Sequence, residues 1–136
     1  MATQNRRRAS AAAWIAPLVL LLLWVVLDRI WGLPIWIAVW YLVASALCFF
    51  LYLVDKSAAK AGRDRIPESA LHLVELSGGW PGAVAGQQLL RHKSIKVSYQ
   101  RRFWALVVLN MLVFVAASAL LFGRVLHDVG IAQINR

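Results

Sequence analysis

Three long runs of uncharged, mostly apolar residues constrain this chain more than any other feature. They cover residues 11–27, 33–54 and 103–122, which are 17, 22 and 20 residues long. The hydrocarbon core of a bilayer is ~30 Å thick, and roughly 17–25 apolar residues cross it as a helix. Backbone polar groups in lipid must be bonded within the segment, which favours α-helices. The runs therefore predict an all-α integral membrane protein with three transmembrane helices.

The composition excludes several other classes of protein. Of the 136 residues, 61% are hydrophobic and 15% are charged, whereas soluble domains have about 45–50% apolar and about 25% charged residues. A disordered tail and an ordinary soluble domain are thereby excluded. The single cysteine, Cys48, excludes an intramolecular disulfide. Tyr52 and Tyr99 lie near the ends of the runs and suit interfacial aromatic belts.

A half-apolar segment, residues 67–90, separates the second run from the third. Pro67 suits the first position of a helix, and Glu68, His72 and Glu75 fall on one side of that helix. This polar stripe is predicted to face the basic loops or a wet cavity. The sequence Gly-Gly-Trp-Pro-Gly then interrupts the helix. We therefore predict a helix–break–helix, with a turn at Gly78 and Gly79, an interruption at Pro81, and close helix packing at Gly82 and Gly86.

The distribution of Lys and Arg predicts the orientation. If this segment does not cross, the N-terminal tail (residues 1–10), residues 55–68 and residues 91–102 together place 12 of 15 cations on one side. If it crosses, that side keeps nine and the other side has six. The positive-inside rule favours the first arrangement. We therefore predict one membrane domain, residues 11–122, with a cytoplasmic N-terminus, a re-entrant or interfacial segment on the cytoplasmic side, and a C-terminal tail, residues 123–136, outside.

Few residues carry an obvious chemistry. Glu68, His72, Glu75 and His92 are the candidate catalytic residues, and Glu and His one helical turn apart are compatible with metal binding. A solvated stripe whose acids pair with nearby cations is the simpler interpretation, so no metal and no cofactor is predicted. Asn110 is the one strongly polar side chain inside the runs and is predicted to hydrogen-bond across helices. Known nucleophile, phosphate-loop and zinc motifs do not occur.

Several uncommon residues recur in a fixed order through the middle of the chain. They are Tyr52-Leu53-Val54-Asp55-Lys56, Arg65-Ile66-Pro67-Glu68-Ser69, Leu71-His72, Gly78-Gly79-Trp80-Pro81-Gly82-Ala83, Gln87, Arg91-His92-Lys93 and Lys96. This pattern resembles the DUF1294 family of bacterial membrane proteins, over roughly residues 40–115. The resemblance implies a bacterial inner-membrane protein of undetermined activity. Together with the orientation predicted from the Lys and Arg distribution, this predicts a periplasmic C-terminus.

The same resemblance bears on partners. Many relatives carry an N-terminal cold-shock domain that binds single-stranded nucleic acid, but only about ten residues precede the first run here. No such domain, and therefore no nucleic-acid partner, is expected. The polar residues of the shared pattern lie in or beside the half-apolar segment and form the candidate ligand-binding set: Asp55, Lys56, Arg65, Gln87, Arg91, Lys93 and Lys96.

Three hypotheses for function remain open from the sequence. The first is a non-enzymatic module whose basic cytoplasmic face docks anionic lipid or an acidic partner. The second is a small membrane enzyme acting on a lipid head group or a polar metabolite, with His72 or His92 as acid or base. The third is an oligomeric channel with Gly82 and Gly86 at subunit contacts. The ligand, the oligomeric state, any partner protein and any reaction are left open.

Overall fold

The fold is built from helices alone in the part of the chain that is described. The computed structural model describes residues 12–90 and 96–134, with residues 125–134 as backbone only. The elements in chain order are α1 (Ile15–Trp31), α2 (Ile35–Lys60), α3 (Glu68–Val74), a π-helical turn (Glu75–Gly79), α4 (Trp80–Leu90) and α5 (Val97–Ile134). The predicted all-α class is confirmed for these residues.

A tight turn joins α1 to α2. Gly32 adopts a left-handed backbone conformation with φ +61°, and its N–H donates to the carbonyl of Asp28 at 2.7 Å. This bond closes the last turn of α1. Pro34 follows in an extended conformation and precedes α2. The end of α1 is held against α5, because the ring of Trp31 stacks on Phe122 with centroids 5.3 Å apart.

Helices α3 and α4, with the π-helical turn between them, form a hairpin that packs against α2 and α5. Its first arm begins beside Asp55 near the end of α2, where Oδ1 accepts a hydrogen bond from the N–H of Ile66 at 3.0 Å. Its second arm ends beside the next residue of α2, where Lys56 Nζ donates to the carbonyl of Leu90 at 2.7 Å. Both arms of the hairpin therefore reach the same end of α2.

The hairpin bends at Gly78, which has φ +116°. This conformation is open to glycine and strained for other residues. Beside the bend, Trp40 Nε1 donates to the carbonyl of Ser77 at 2.7 Å. Trp40 and Asp55 are 15 residues apart on α2, so the bend lies roughly 22 Å from the open end of the hairpin.

Glycines allow the hairpin to approach α2 closely. A Cβ atom added at Gly82 would overlap the backbone of Ser45, and one added at Gly86 would lie 2.9 Å from the Cβ of Tyr52. One added at Gly79 would lie 2.8 Å from a backbone oxygen of α2. Pro81 occupies the first turn of α4, where a missing N–H leaves no bond broken. The helix interruption therefore lies at Gly78, and α4 runs on through Pro81.

Two of the described helices are long and apolar enough to cross a membrane. They are Ile35–Lys60 and Val97–Arg124, with mean hydropathies of 2.3 and 2.6, and only 17% and 22% of their most apolar stretches are buried. A core helix of a soluble protein buries such residues. Large apolar faces that point outward are expected where lipid is the solvent.

The predicted runs and the observed helices differ at their ends. Helix α1 rises about 25 Å, less than the ~30 Å hydrocarbon core, so a third crossing stays a prediction. Helix α5 begins at Val97, six residues before the predicted run, and includes Arg101 and Arg102. Both arginines are exposed, and long cationic side chains at a helix end can reach water while their stems stay on apolar surface.

We expect Gly82→Ala to destabilise the protein by roughly 1–3 kcal/mol, because the new methyl group would push the hairpin away from α2. Thermal unfolding of the purified protein in detergent measures this effect. Gly123→Ala is the matched control, since a Cβ there meets no atom within 4 Å. Equal melting temperatures for Gly82→Ala and the wild type would contradict the close contact.

Candidate functional site

Buried polar side chains converge where α2, the hairpin and α5 meet. We call this cluster the polar centre: Tyr52, His72, Glu75, Gln87 and Tyr99. Tyr52, Glu75 and Tyr99 are fully buried, and Gln87 is nearly so. A buried polar group is costly unless it is hydrogen-bonded. The arrangement therefore depends on how these groups satisfy one another.

Glu75 is the hub of the polar centre. Its Oε1 accepts hydrogen bonds from the hydroxyls of Tyr52 and Tyr99, each at 2.7 Å. Its Oε2 lies 2.6 Å from Nδ1 of His72. The two tyrosine oxygens are themselves 2.6 Å apart. The carboxyl group of Glu75, at the start of the π-helical turn, thus contacts side chains from α2, α3 and α5.

Two glutamines extend this network across the remaining elements. Gln87 of α4 donates from Nε2 to the hydroxyl of Tyr52 at 3.1 Å. Gln100 of α5 donates from Nε2 to Oε1 of Gln87 at 2.7 Å. A connected chain of hydrogen bonds therefore holds both arms of the hairpin between α2 and α5.

The predicted orientation of the polar stripe is wrong for Glu75. Glu75 faces the interior, because it begins the π-helical turn at the point where the hairpin packs against the tyrosines of α2 and α5. Glu68 instead pairs with a nearby cation, as expected for a solvated polar stripe. Its Oε1 accepts a hydrogen bond from Lys96 Nζ at 2.6 Å. His72 lies between the buried Glu75 and the ion-paired Glu68 on the hairpin. Its ring stacks on Tyr99, with ring centroids 4.4 Å apart.

The same packing overturns the belt interpretation of two tyrosines. Tyr52 and Tyr99 are buried hydrogen-bond donors and do not lie in an interfacial ring. Their positions near the ends of apolar runs are compatible with either role, so the sequence alone gave no reason to place them together. The signal that could have led to them is that a Glu buried on the half-apolar helix would require hydrogen-bond donors.

A second polar cluster surrounds Asn110 of α5. Its Oδ1 accepts from the hydroxyl of Tyr41 at 2.6 Å and from Nε1 of Trp80 at 2.9 Å. Its Nδ2 donates to the carbonyl of Leu76 at 2.7 Å. The irregular turn leaves carbonyls without helical donors, and Asn110 satisfies one of them while bridging three elements.

Exposed cations gather around the open end of the hairpin, which we call the basic end: Lys60, Arg63, Arg65, Lys96, Arg101 and Arg102. Arg65 lies 3.5 Å from the buried carboxylate of Asp55, and Lys96 pairs with Glu68. Within the described residues, no salt bridge joins the other four cations to a carboxylate. The acids at this end are Asp55, Asp64 and Glu68, so cations predominate.

The structure distributes the predicted site residues over two places. His72, Glu75 and Gln87 lie in the polar centre, whereas Asp55, Lys56, Arg65, Glu68 and Lys96 hold the open end of the hairpin together. Pro67 directly precedes α3. Arg91, His92 and Lys93 lie outside the described residues. Tyr41, Trp80 and Gln100 were not among the predicted site residues.

The described residues contain a cavity of about 550 Å³ at the end of α2, lined by Val54, Ser57, Ala58, Gly62, Arg63 and Asp64. Of the candidate catalytic residues, the described Glu68, His72 and Glu75 do not line it. In the described ranges, His, Cys, Asp and Glu side chains do not form a group of three that would hold a metal ion. The groups of the polar centre are bonded chiefly to one another.

We expect Asn110→Leu to lower stability by roughly 1–3 kcal/mol, because it leaves Trp80 Nε1, the Tyr41 hydroxyl and the Leu76 carbonyl without this partner. Thermal unfolding in detergent measures the loss. Ser118→Ala is a milder control, since the Ser118 hydroxyl donates only to its own helix, at Phe114. A variant Asn110→Leu as stable as Ser118→Ala would show that the bridge contributes little.

Comparison with known proteins gives one relationship. A family model described as "Protein of unknown function (DUF1294)" matches residues 45–99. Searches of curated proteins and of solved structures found no match. The matched segment runs from α2 through the whole hairpin to Tyr99 at the start of α5, so it contains the polar centre. The segment of this chain from residue 45 to residue 99 therefore matches the DUF1294 family.

Proposed function

We propose that this protein is a bacterial inner-membrane module whose basic end docks anionic lipid head groups at the cytoplasmic surface. The proposal rests on the geometry of the hairpin. Its two arms reach the same end of α2, which gathers cations from α2, the 61–66 loop and the start of α5 around one surface.

The electrostatics of that surface suit an anionic leaflet. Lys60, Arg63, Arg101 and Arg102 are exposed and form no salt bridge with a carboxylate in the described part of the chain. A cationic side chain close to anionic lipid contributes about 1 kcal/mol of binding free energy. Four such residues, at or beside the ends of two apolar helices, would therefore favour anionic over neutral lipid.

In this proposal, the hairpin is a re-entrant element that enters and leaves the membrane on the cytoplasmic side. Non-helical backbone at membrane depth is tolerated where protein groups satisfy it. The bend meets this condition, because Trp40 and Asn110 donate to the carbonyls of Ser77 and Leu76. A non-crossing hairpin also keeps the cations before and after it on one side, as the positive-inside rule favours.

The geometry gives less support to the other two hypotheses. Gly82 and Gly86, which a channel would use at subunit contacts, pack against Ser45 and Tyr52 of the same chain. An enzyme would use His72 and Glu75, and these are bound to each other inside the polar centre. A surface that docks lipid requires neither subunit contacts through these glycines nor an open polar pocket.

Native mass spectrometry of the full chain in detergent, titrated with phosphatidylglycerol or phosphatidylcholine, tests the proposal. We expect the wild type to bind the anionic lipid at least about tenfold more tightly. Changing Lys60, Arg63, Arg101 and Arg102 together to Gln should remove that preference, because the charges that distinguish the two lipids are gone.

The control carries Arg29→Gln and Arg124→Gln. These positions flank the stacked pair Trp31 and Phe122 at the opposite end of the helices, so the lipid preference should persist. Equal binding of both lipids by the wild type would refute the docking function.

A further inference from the structure

Among the described residues, one ring nitrogen of His72 has a hydrogen-bond partner and the other has none. Nδ1 lies 2.6 Å from Oε2 of Glu75, and the ring is stacked on Tyr99. Nε2 is buried and has no hydrogen-bond partner among the described residues. Buried polar atoms are nearly always bonded in folded proteins, so an unsatisfied one calls for an explanation.

The ring is held rigidly in this position. Glu75 is itself fixed by the hydroxyls of Tyr52 and Tyr99, so the carboxylate keeps Nδ1 turned towards it. A carboxyl group that orients one ring nitrogen leaves the other directed away for a second partner. The side chain of His72 retains 12% exposure, which places it at the outer edge of the polar centre.

His72 also lies next to the basic end. On α3 it follows Glu68 by one helical turn, and on α5 its stacking partner Tyr99 follows Lys96 by three residues. The ion pair of Glu68 with Lys96, the residue before α5, and the stack of His72 on Tyr99 are therefore neighbouring contacts between α3 and the start of α5. The ion pair, which belongs to the basic end, thus lies about one helical turn, ~5.4 Å along α3, from His72.

We propose that Nε2 of His72 hydrogen-bonds a hydroxyl group of an anionic phospholipid whose phosphate is bound by the basic end. A hydroxyl both donates and accepts, so it satisfies Nε2 whether or not that nitrogen carries a proton. A glycerol head group presents its hydroxyls within a few ångströms of the phosphate. This inference rests on the proposed function and narrows its ligand to anionic lipids with hydroxylated head groups.

The test compares two lipids of equal charge, phosphatidylglycerol and phosphatidylethanol, which differ in the hydroxyls of the head group. The full chain is titrated with each lipid and followed by native mass spectrometry. We expect the wild type to bind phosphatidylglycerol about five- to tenfold more tightly. In His72→Phe, which keeps an aromatic ring against Tyr99, the two affinities should become equal while that for phosphatidylethanol is unchanged.

The wild-type comparison can refute the inference even if His72→Phe does not fold. Equal affinities in the wild type would overturn the inference and leave anionic lipid docking intact. A preference that survives in His72→Phe would also overturn it, since the hydroxyl would then be recognised elsewhere. Binding of neither lipid would overturn the docking function together with this inference.

Discussion

The structure depends on one buried carboxyl group. Glu75 is fully buried, and it receives the hydroxyls of Tyr52 and Tyr99 on one oxygen and contacts His72 with the other. Removing one partner of such a group leaves costly unsatisfied atoms. The hairpin must therefore sit between α2 and α5 in the one register that supplies these donors.

That register has consequences at both ends of the hairpin. At the bend, Trp40 and Asn110 bond the carbonyls that the irregular turn exposes. At the open end, Lys56 and Asp55 hold the two arms against the end of α2. The glycines that permit this approach face α2 within the same chain. Internal polar contacts thus fix where the cationic loops emerge, which is how the fold produces the basic end.

Much of the helical framework was predictable from the sequence, because uncharged runs and helix-breaking glycines act locally. The two long apolar helices and the hairpin with its break follow from length and residue type alone. The polar centre was only half predictable. The helical spacing of Glu68, His72 and Glu75 identifies one face but not its environment, and the tyrosines that bind Glu75 come from residues 23 and 24 positions away. Such long-range pairing leaves no local pattern.

The central claim is that both arms of the hairpin leave the membrane on one side. The most direct measurement is labelling by a membrane-impermeant maleimide of Lys60→Cys and Arg101→Cys in intact cells and in inverted vesicles, with Gly123→Cys as the reference for the other side. The native thiol of Cys48 is fully buried and should contribute little background. We predict that positions 60 and 101 react only in inverted vesicles and position 123 only in intact cells. Reaction of positions 60 and 101 from opposite sides would contradict the account.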